Sequence, residues 1–151
     1  MYFYKGSEQR RHQDQFYLPG CLSAWIALVD VGPANGTIYA QPGSHKSRLI
    51  QRDDFRNGEG EAVGPQGEEY NDAVDALFVA NDLPEQPIQV KQGDVVYFHG
   101  VLIHRGGSIQ QPDSFRHVMA NHYISSNLDN WRLKNWWRLS FDGGKRREAE
   151  S

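Results

Sequence analysis

Hydrophobic and polar positions alternate through much of this chain with a period of two, and turn residues interrupt the pattern at short intervals. Residues 23–30 (SAWIALVD) are apolar on both alternating faces, as in a strand buried on both sides. Gly32-Pro33-Ala34-Asn35-Gly36 follows as a turn, and Asn-Gly is the strongest short hairpin signal. Residues 37–40 resume a strand, which Gln41-Pro42-Gly43-Ser44 breaks. Residues 88–91 alternate as a strand with one wet face, and Gln92-Gly93 turns the chain. Residues 94–99 (DVVYFH) form a second strong strand, 101–104 (VLIH) continue it after Gly100, and 106–114 read as a loop. Residues 115–124 (FRHVMANHYI) form one more strand. About seven short strands with little helix predict an all-β fold.

Residues 51–87 break this pattern, being polar, rich in Gly, Glu, Asp and Asn, and carrying Pro65, Pro84 and Pro87. Both flanks are strand-like and neither could build a core alone, so the segment is an excursion within one domain, 1–151. Tyr70, Val74, Leu77 and Phe78 stand at i, i+4, i+7 and i+8, which predicts a short amphipathic helix there.

Composition narrows the class. The 151 residues are 38% hydrophobic, 12% aromatic and 23% charged, a globular balance. Net charge of −3 argues against sequence-independent nucleic-acid binding, which needs a basic surface. Trp131, Trp136 and Trp137 among Arg132, Lys134 and Arg138 read as an aromatic flap on the barrel rather than a stacking platform, with 140–151 a frayed tail. No apolar run reaches the roughly 20 residues of a membrane-spanning helix, so no membrane partner is expected. The start of the chain lacks a signal-peptide core, and Cys21 is the only cysteine. Both point to a reducing compartment, and the cytoplasm is the expected location.

Three features carry candidate chemistry. His12 and Asp14 are two apart, so on an extended strand imidazole and carboxylate project side by side. His104 closes an apolar segment beside Gly106 and Gly107, facing either core or pocket. Arg116 has the guanidinium that pairs bidentately with a carboxylate. Taken singly, each has a plainer reading: a surface His–Asp pair, a hydrogen-bonded core histidine, a surface arginine. Together, a His-x-carboxylate pair and a second histidine from a late strand can make a facial triad, which holds non-haem Fe(II) and leaves other coordination positions open. Two histidines and one carboxylate also hold catalytic zinc in other proteins.

The ordered series His12-Gln13-Asp14, 24–28 (AWIAL), Asn35-Gly36, 42–46 (PGSHK), 93–104 (GDVVYFHGVLIH) and Phe115-Arg116 resembles the phytanoyl-CoA dioxygenase family of iron- and 2-oxoglutarate-dependent oxygenases. The resemblance covers residues 12–124. It implies a double-stranded β-helix, the cupin-like jelly roll, in agreement with the strand pattern. It implies that His12, Asp14 and His104 ligate iron and that Arg116 pairs with the distal carboxylate of 2-oxoglutarate. Trp25 matches a tryptophan near the co-substrate, with a core aromatic as the equal alternative, and Ser108 lies where a hydroxyl helps to bind 2-oxoglutarate. His99 and His45 read as structural, and His117 and His122 have no assigned role. The segment 51–87 would cover the substrate entrance as a lid.

The implied function is Fe(II)- and 2-oxoglutarate-dependent hydroxylation of a C–H bond in a small organic substrate, consuming O2 and releasing succinate and CO2. Relatives that halogenate have Ala or Gly in place of the carboxylate, whereas this chain keeps Asp14. The family usually has a substantial N-terminal region before the first motif, and here eleven residues precede His12, so the chain is expected to lack that region. A sheet edge exposed in this way would favour a homo-oligomer. The alternative is a non-catalytic cupin-like binding domain or inactive fragment, and formation of succinate separates the two.

Overall fold

The doubly apolar segment at 23–30 becomes a central strand, flanked by a neighbour on each side. In the computed structural model, which describes residues 2–3, 8–55, 68–125, 128, 137–139 and 142–147, the strands run in chain order. They are β1 (Tyr2–Phe3), β2 (Leu22–Ala27), β3 (Ile38–Ala40), β4 (Gln86–Pro87), β5 (Val95–His99), β6 (His104–Gly106), β7 (Arg116–Tyr123), β8 (Trp137–Leu139) and β9 (Lys145–Arg147). Among the described residues the one α-helix, α1 (Glu68–Asn81), lies between β3 and β4. One sheet has the order β1-β7-β2-β5 and the second β4-β3-β6, while β8 pairs with β9; all pairings are antiparallel.

The two main sheets enclose a core. Trp25 and Ala27 of β2, Val118 of β7 and Ile38 of β3 pack with Val31, and Val96 and Phe98 of β5 lean on them. The alternation along β5 follows from this: Val96 and Phe98 turn inward, while Val95 and Tyr97 face out. The architecture is the all-β jelly roll that the strand pattern and the resemblance imply. Helix α1 forms a second cluster, in which Tyr70 and Val74 pack with Phe16, Ile50 and Ile103 and Leu77 and Phe78 lie against them. These are the four residues whose spacing predicted the helix. Of the segment 51–87, residues 56–67 lie outside the described residues; 131–136 and parts of 140–151 do too.

Three local expectations change. Asn35-Gly36 does not close a hairpin, because β2 and β3 belong to different sheets. Asn35 organises that crossing instead: its Oδ1 accepts from Gly32 N–H at 2.8 Å, and its Nδ2 donates to the carbonyls of Asp30 (2.8 Å) and Phe115 (3.2 Å). Residues 101–103 are not strand, because Ile103 is held by the Ser44 hydroxyl and the Gln41 amide rather than by a ladder, and the strand starts only at His104. Residues 88–91 form one isolated bridge, Val31 to Val90, and the strand beside β3 is Gln86–Pro87, with Ile88 N–H donating to Ile38 C=O at 3.0 Å.

Candidate metal centre

His12 and His104 stand opposite each other in an isolated antiparallel bridge, with His12 N–H donating to His104 C=O at 2.9 Å and His104 N–H to His12 C=O at 3.2 Å. Directly paired residues project to one face, so two imidazoles far apart in sequence share a side, with ring centroids 4.2 Å apart. Gln13 is extended (φ −121°, ψ 120°), and Asp14 therefore projects to the face of His12, as the two-residue spacing predicts. The chain then leaves the strand conformation, since Asp14–Phe16 is one turn of 3₁₀ helix. His12 Nε2 lies 3.5 Å and His104 Nε2 3.7 Å from Asp14 Oδ1. The three donor atoms lie within 4.8 Å of one another.

The outer nitrogens fix the rings. His12 Nδ1 lies 2.8 Å from Arg10 C=O and His104 Nδ1 3.0 Å from Leu102 C=O. A carbonyl only accepts, so each Nδ1 carries the proton. Each Nε2 then points inward, the arrangement found for metal-ligating histidines. Burial holds the His104 imidazole down to about 4 from its ordinary 6.5, so it is neutral and has a lone pair at neutral pH. Burial alone would raise Asp14, but the hydrogen bond from His122, the field of His104 and the hydrogen bond from Ser23 outweigh it. The carboxyl therefore sits well below the usual carboxylate range and is ionised. Two imidazoles with inward Nε2 atoms and one carboxylate suit a divalent transition metal.

Gln13 and Tyr70 brace this pair from behind. Gln13 is fully buried; its Nε2 donates to the carbonyls of Val101 (3.0 Å) and Arg48 (3.1 Å), and its Oε1 accepts from Ile50 N–H at 2.9 Å. The Tyr70 hydroxyl accepts from Gln13 N–H at 2.8 Å and donates to Gln13 C=O at 3.1 Å, which ties α1 to the backbone between His12 and Asp14. Salt bridges from Arg10 to Asp72 and Asp75, and from Arg11 to Asp75, add to this tie.

The donor atoms open into two adjoining cavities. The outer, about 380 Å³, is lined by Gln9, Tyr17, Leu18, Asn71 and His122 beside His12 and Asp14. The inner, about 100 Å³, has Trp25, Phe98, Arg116 and Ala120 around the same donors. Arg116 is brought to the site because β7 keeps its parity: Arg116, Val118, Ala120 and His122 share the inward face. It is 2% exposed, and its Nη1 donates to Gly36 C=O. Burial brings its guanidinium down to about 10, still charged at neutral pH. Trp25 belongs to the core cluster and also lines the inner cavity. Ser108 is exposed and lines neither cavity. His99 faces outward and accepts from Val101 N–H at 3.1 Å, a structural role.

Sequence reasoning gave no role to His122, Ser23 or Gln13. His122 was reachable through its even separation from Arg116 on one strand. Gln13 and Ser23 gave no signal, because a buried and an exposed polar residue look alike in sequence.

A jelly roll that gathers two inward-facing imidazoles and a carboxylate between its sheets defines a class of metal-binding cupin-like proteins. The phytanoyl-CoA dioxygenase (PhyH) family model matches residues 1–118, and the chain belongs to that family. Phytanoyl-CoA dioxygenase 1 of Oryza sativa subsp. japonica is 34% identical over 149 residues, covering 90% of this chain and 47% of the rice protein. The chain thus spans about half the length of the curated relatives it matches. Among solved structures, the non-heme alpha ketoglutarate dependent carbocyclase SnoK is 28% identical with a TM-score of 0.56, over 78% of this chain and 43% of SnoK. AviO1 from Streptomyces viridochromogenes is 26% identical with a TM-score of 0.56, over 82% of this chain and 46% of AviO1. Among the described residues, no helix is long and apolar enough to cross a membrane.

Proposed function

We propose that this chain carries the catalytic core of an Fe(II)- and 2-oxoglutarate-dependent dioxygenase that hydroxylates a C–H bond of a small organic substrate. The observation that carries this reading is the convergence of His12 Nε2, His104 Nε2 and Asp14 Oδ1, with both imidazoles locked through Nδ1. Family membership and the description of SnoK as alpha ketoglutarate dependent support iron and 2-oxoglutarate over zinc.

In this reading His12, Asp14 and His104 hold the iron. When bound, the metal supplies the redox chemistry that couples decarboxylation of 2-oxoglutarate by O2 to C–H hydroxylation, giving succinate, CO2 and the alcohol. Arg116, buried and charged in the inner cavity, pairs with the distal carboxylate of 2-oxoglutarate. Its own bond to Gly36 C=O holds the guanidinium in place before the co-substrate arrives. Trp25 and Phe98 line that cavity and exclude water from it. The outer cavity, bounded by Tyr17, Leu18 and Asn71, receives the substrate.

Succinate release from 2-oxoglutarate tests the reading. The chain supplied with Fe(II) in air should produce succinate, and Asp14→Ala should abolish it. A folded, iron-loaded chain that forms no succinate would favour the non-catalytic binding domain.

A further inference from the structure

Asp14 has two oxygens, and the protein treats them differently. Oδ1 is the one approached by both triad histidines, at 3.5 and 3.7 Å. Oδ2 is taken by protein donors: the Ser23 hydroxyl at 2.5 Å and His122 Nε2 at 3.2 Å. These donors are not a chance pair. Ser23 on β2 and His122 on β7 are directly opposed in the strand register, and both point to the inner side of the sheet. One cross-strand pair thus delivers two hydrogen bonds to a single carboxylate oxygen. Ser23 is 2% exposed, while His122 keeps its outer side on the larger cavity.

We infer that His122 and Ser23 are positioning residues that hold Asp14 as a one-oxygen ligand. They occupy Oδ2 and aim Oδ1 at the point where His12 and His104 converge. The inference rests on the metal-binding reading above and adds two residues to it. A carboxylate on a single-bonded side chain is free to rotate and can chelate a metal through both oxygens. Two donors on one oxygen remove that freedom before the metal arrives. Partners of this kind outside the ligand set commonly carry 10–100-fold in metal affinity. A metal held there would meet Asp14 through Oδ1, because Oδ2 is engaged by Ser23 and His122.

Co(II) is a suitable probe, since its binding constant and visible ligand-field band are read in one titration without turnover. Wild-type chain should bind one equivalent with a defined band. His122→Ala should weaken binding about 10–100-fold and change the band's shape. His122→Gln, whose amide N–H can reach the same oxygen, should recover most of the affinity and the wild-type band. Ser23→Ala should resemble His122→Ala, and the double variant should lose less than the two effects combined, because both act on one oxygen. Far-UV circular dichroism establishes that each variant is folded. A folded His122→Ala with wild-type affinity and band would overturn the positioning role, and so would a His122→Gln as weak as the alanine variant. Absence of Co(II) binding by the wild type would instead remove the metal centre and the inference with it.

Discussion

Replacing Tyr70 by phenylalanine deletes one oxygen from the link between α1 and the ligand-bearing backbone and leaves the ring where it is. That ring is 1% exposed and stacks on Phe16 with centroids 3.9 Å apart, a packing phenylalanine can reproduce. The hydroxyl makes two bonds, both to Gln13. Their loss is unequal. Gln13 C=O also accepts from Phe16 N–H at 3.1 Å and keeps that partner. Gln13 N–H, bonded to Tyr70 at 2.8 Å, is left buried without one. An orphaned buried donor costs about 1–3 kcal/mol, so the expected loss is about 2 kcal/mol. For a chain of this size that is about 4–8 °C in Tm. Urea unfolding of the metal-free chain measures it, with an unchanged m-value as the sign that only stability moved. Tyr17→Phe, at a residue 49% exposed, is the control and should stay within about 0.5 kcal/mol. If Tyr70→Phe also stays within about 0.5 kcal/mol, the hydroxyl does not brace Gln13 and the tie between α1 and the site is wrong.

Two further predictions concern stability. His104 is held near 4 in the folded chain against 6.5 ordinarily, so between those values the unfolded chain binds the extra proton. Stability of the metal-free protein should therefore fall by about 3 kcal/mol as pH drops from about 7 to 4, with no further loss from this group below that. Asp14, held low, adds its own loss only below the usual carboxylate range. Urea unfolding across pH should show the slope, and a slope unchanged in His104→Gln would refute its assignment to this residue. Gly100→Ala should destabilise by about 1–3 kcal/mol, because a Cβ there would come within 2.4 Å of Cys21 Sγ and 2.9 Å of Cys21 C=O. Gly32→Ala, with nothing within 4 Å, should be tolerated, and equal thermal stability of the two variants would count against the packing described at Gly100.

Periodicity carried most of the fold: the alternation along β5 marks a strand with one exposed side, and the continuous apolar run marks β2, buried on both faces. It failed at residues 101–103, where three apolar side chains look like strand but the backbone is held by Ser44 and Gln41. It also failed at Asn35-Gly36, since the same dipeptide serves a hairpin or, through the Asn35 side chain, a crossing between sheets. At the site, His12, Asp14 and His104 each have a plainer reading alone, and they stood out only in combination and through the family resemblance. What sequence could not supply was the register that pairs Ser23 with His122, because register depends on loop lengths and long-range packing. Ser108 shows the converse, for a hydroxyl in the right loop by sequence is exposed and lines neither cavity.

Anaerobic titration of the metal-free chain with Fe(II) and then 2-oxoglutarate tests the central claim most directly. Chelation of 2-oxoglutarate at an iron held by His12, Asp14 and His104 should produce a weak visible charge-transfer band. The band should be lost in His104→Ala and should need far more 2-oxoglutarate in Arg116→Ala. A folded wild-type chain that gives no band, or a band indifferent to both substitutions, would contradict the account.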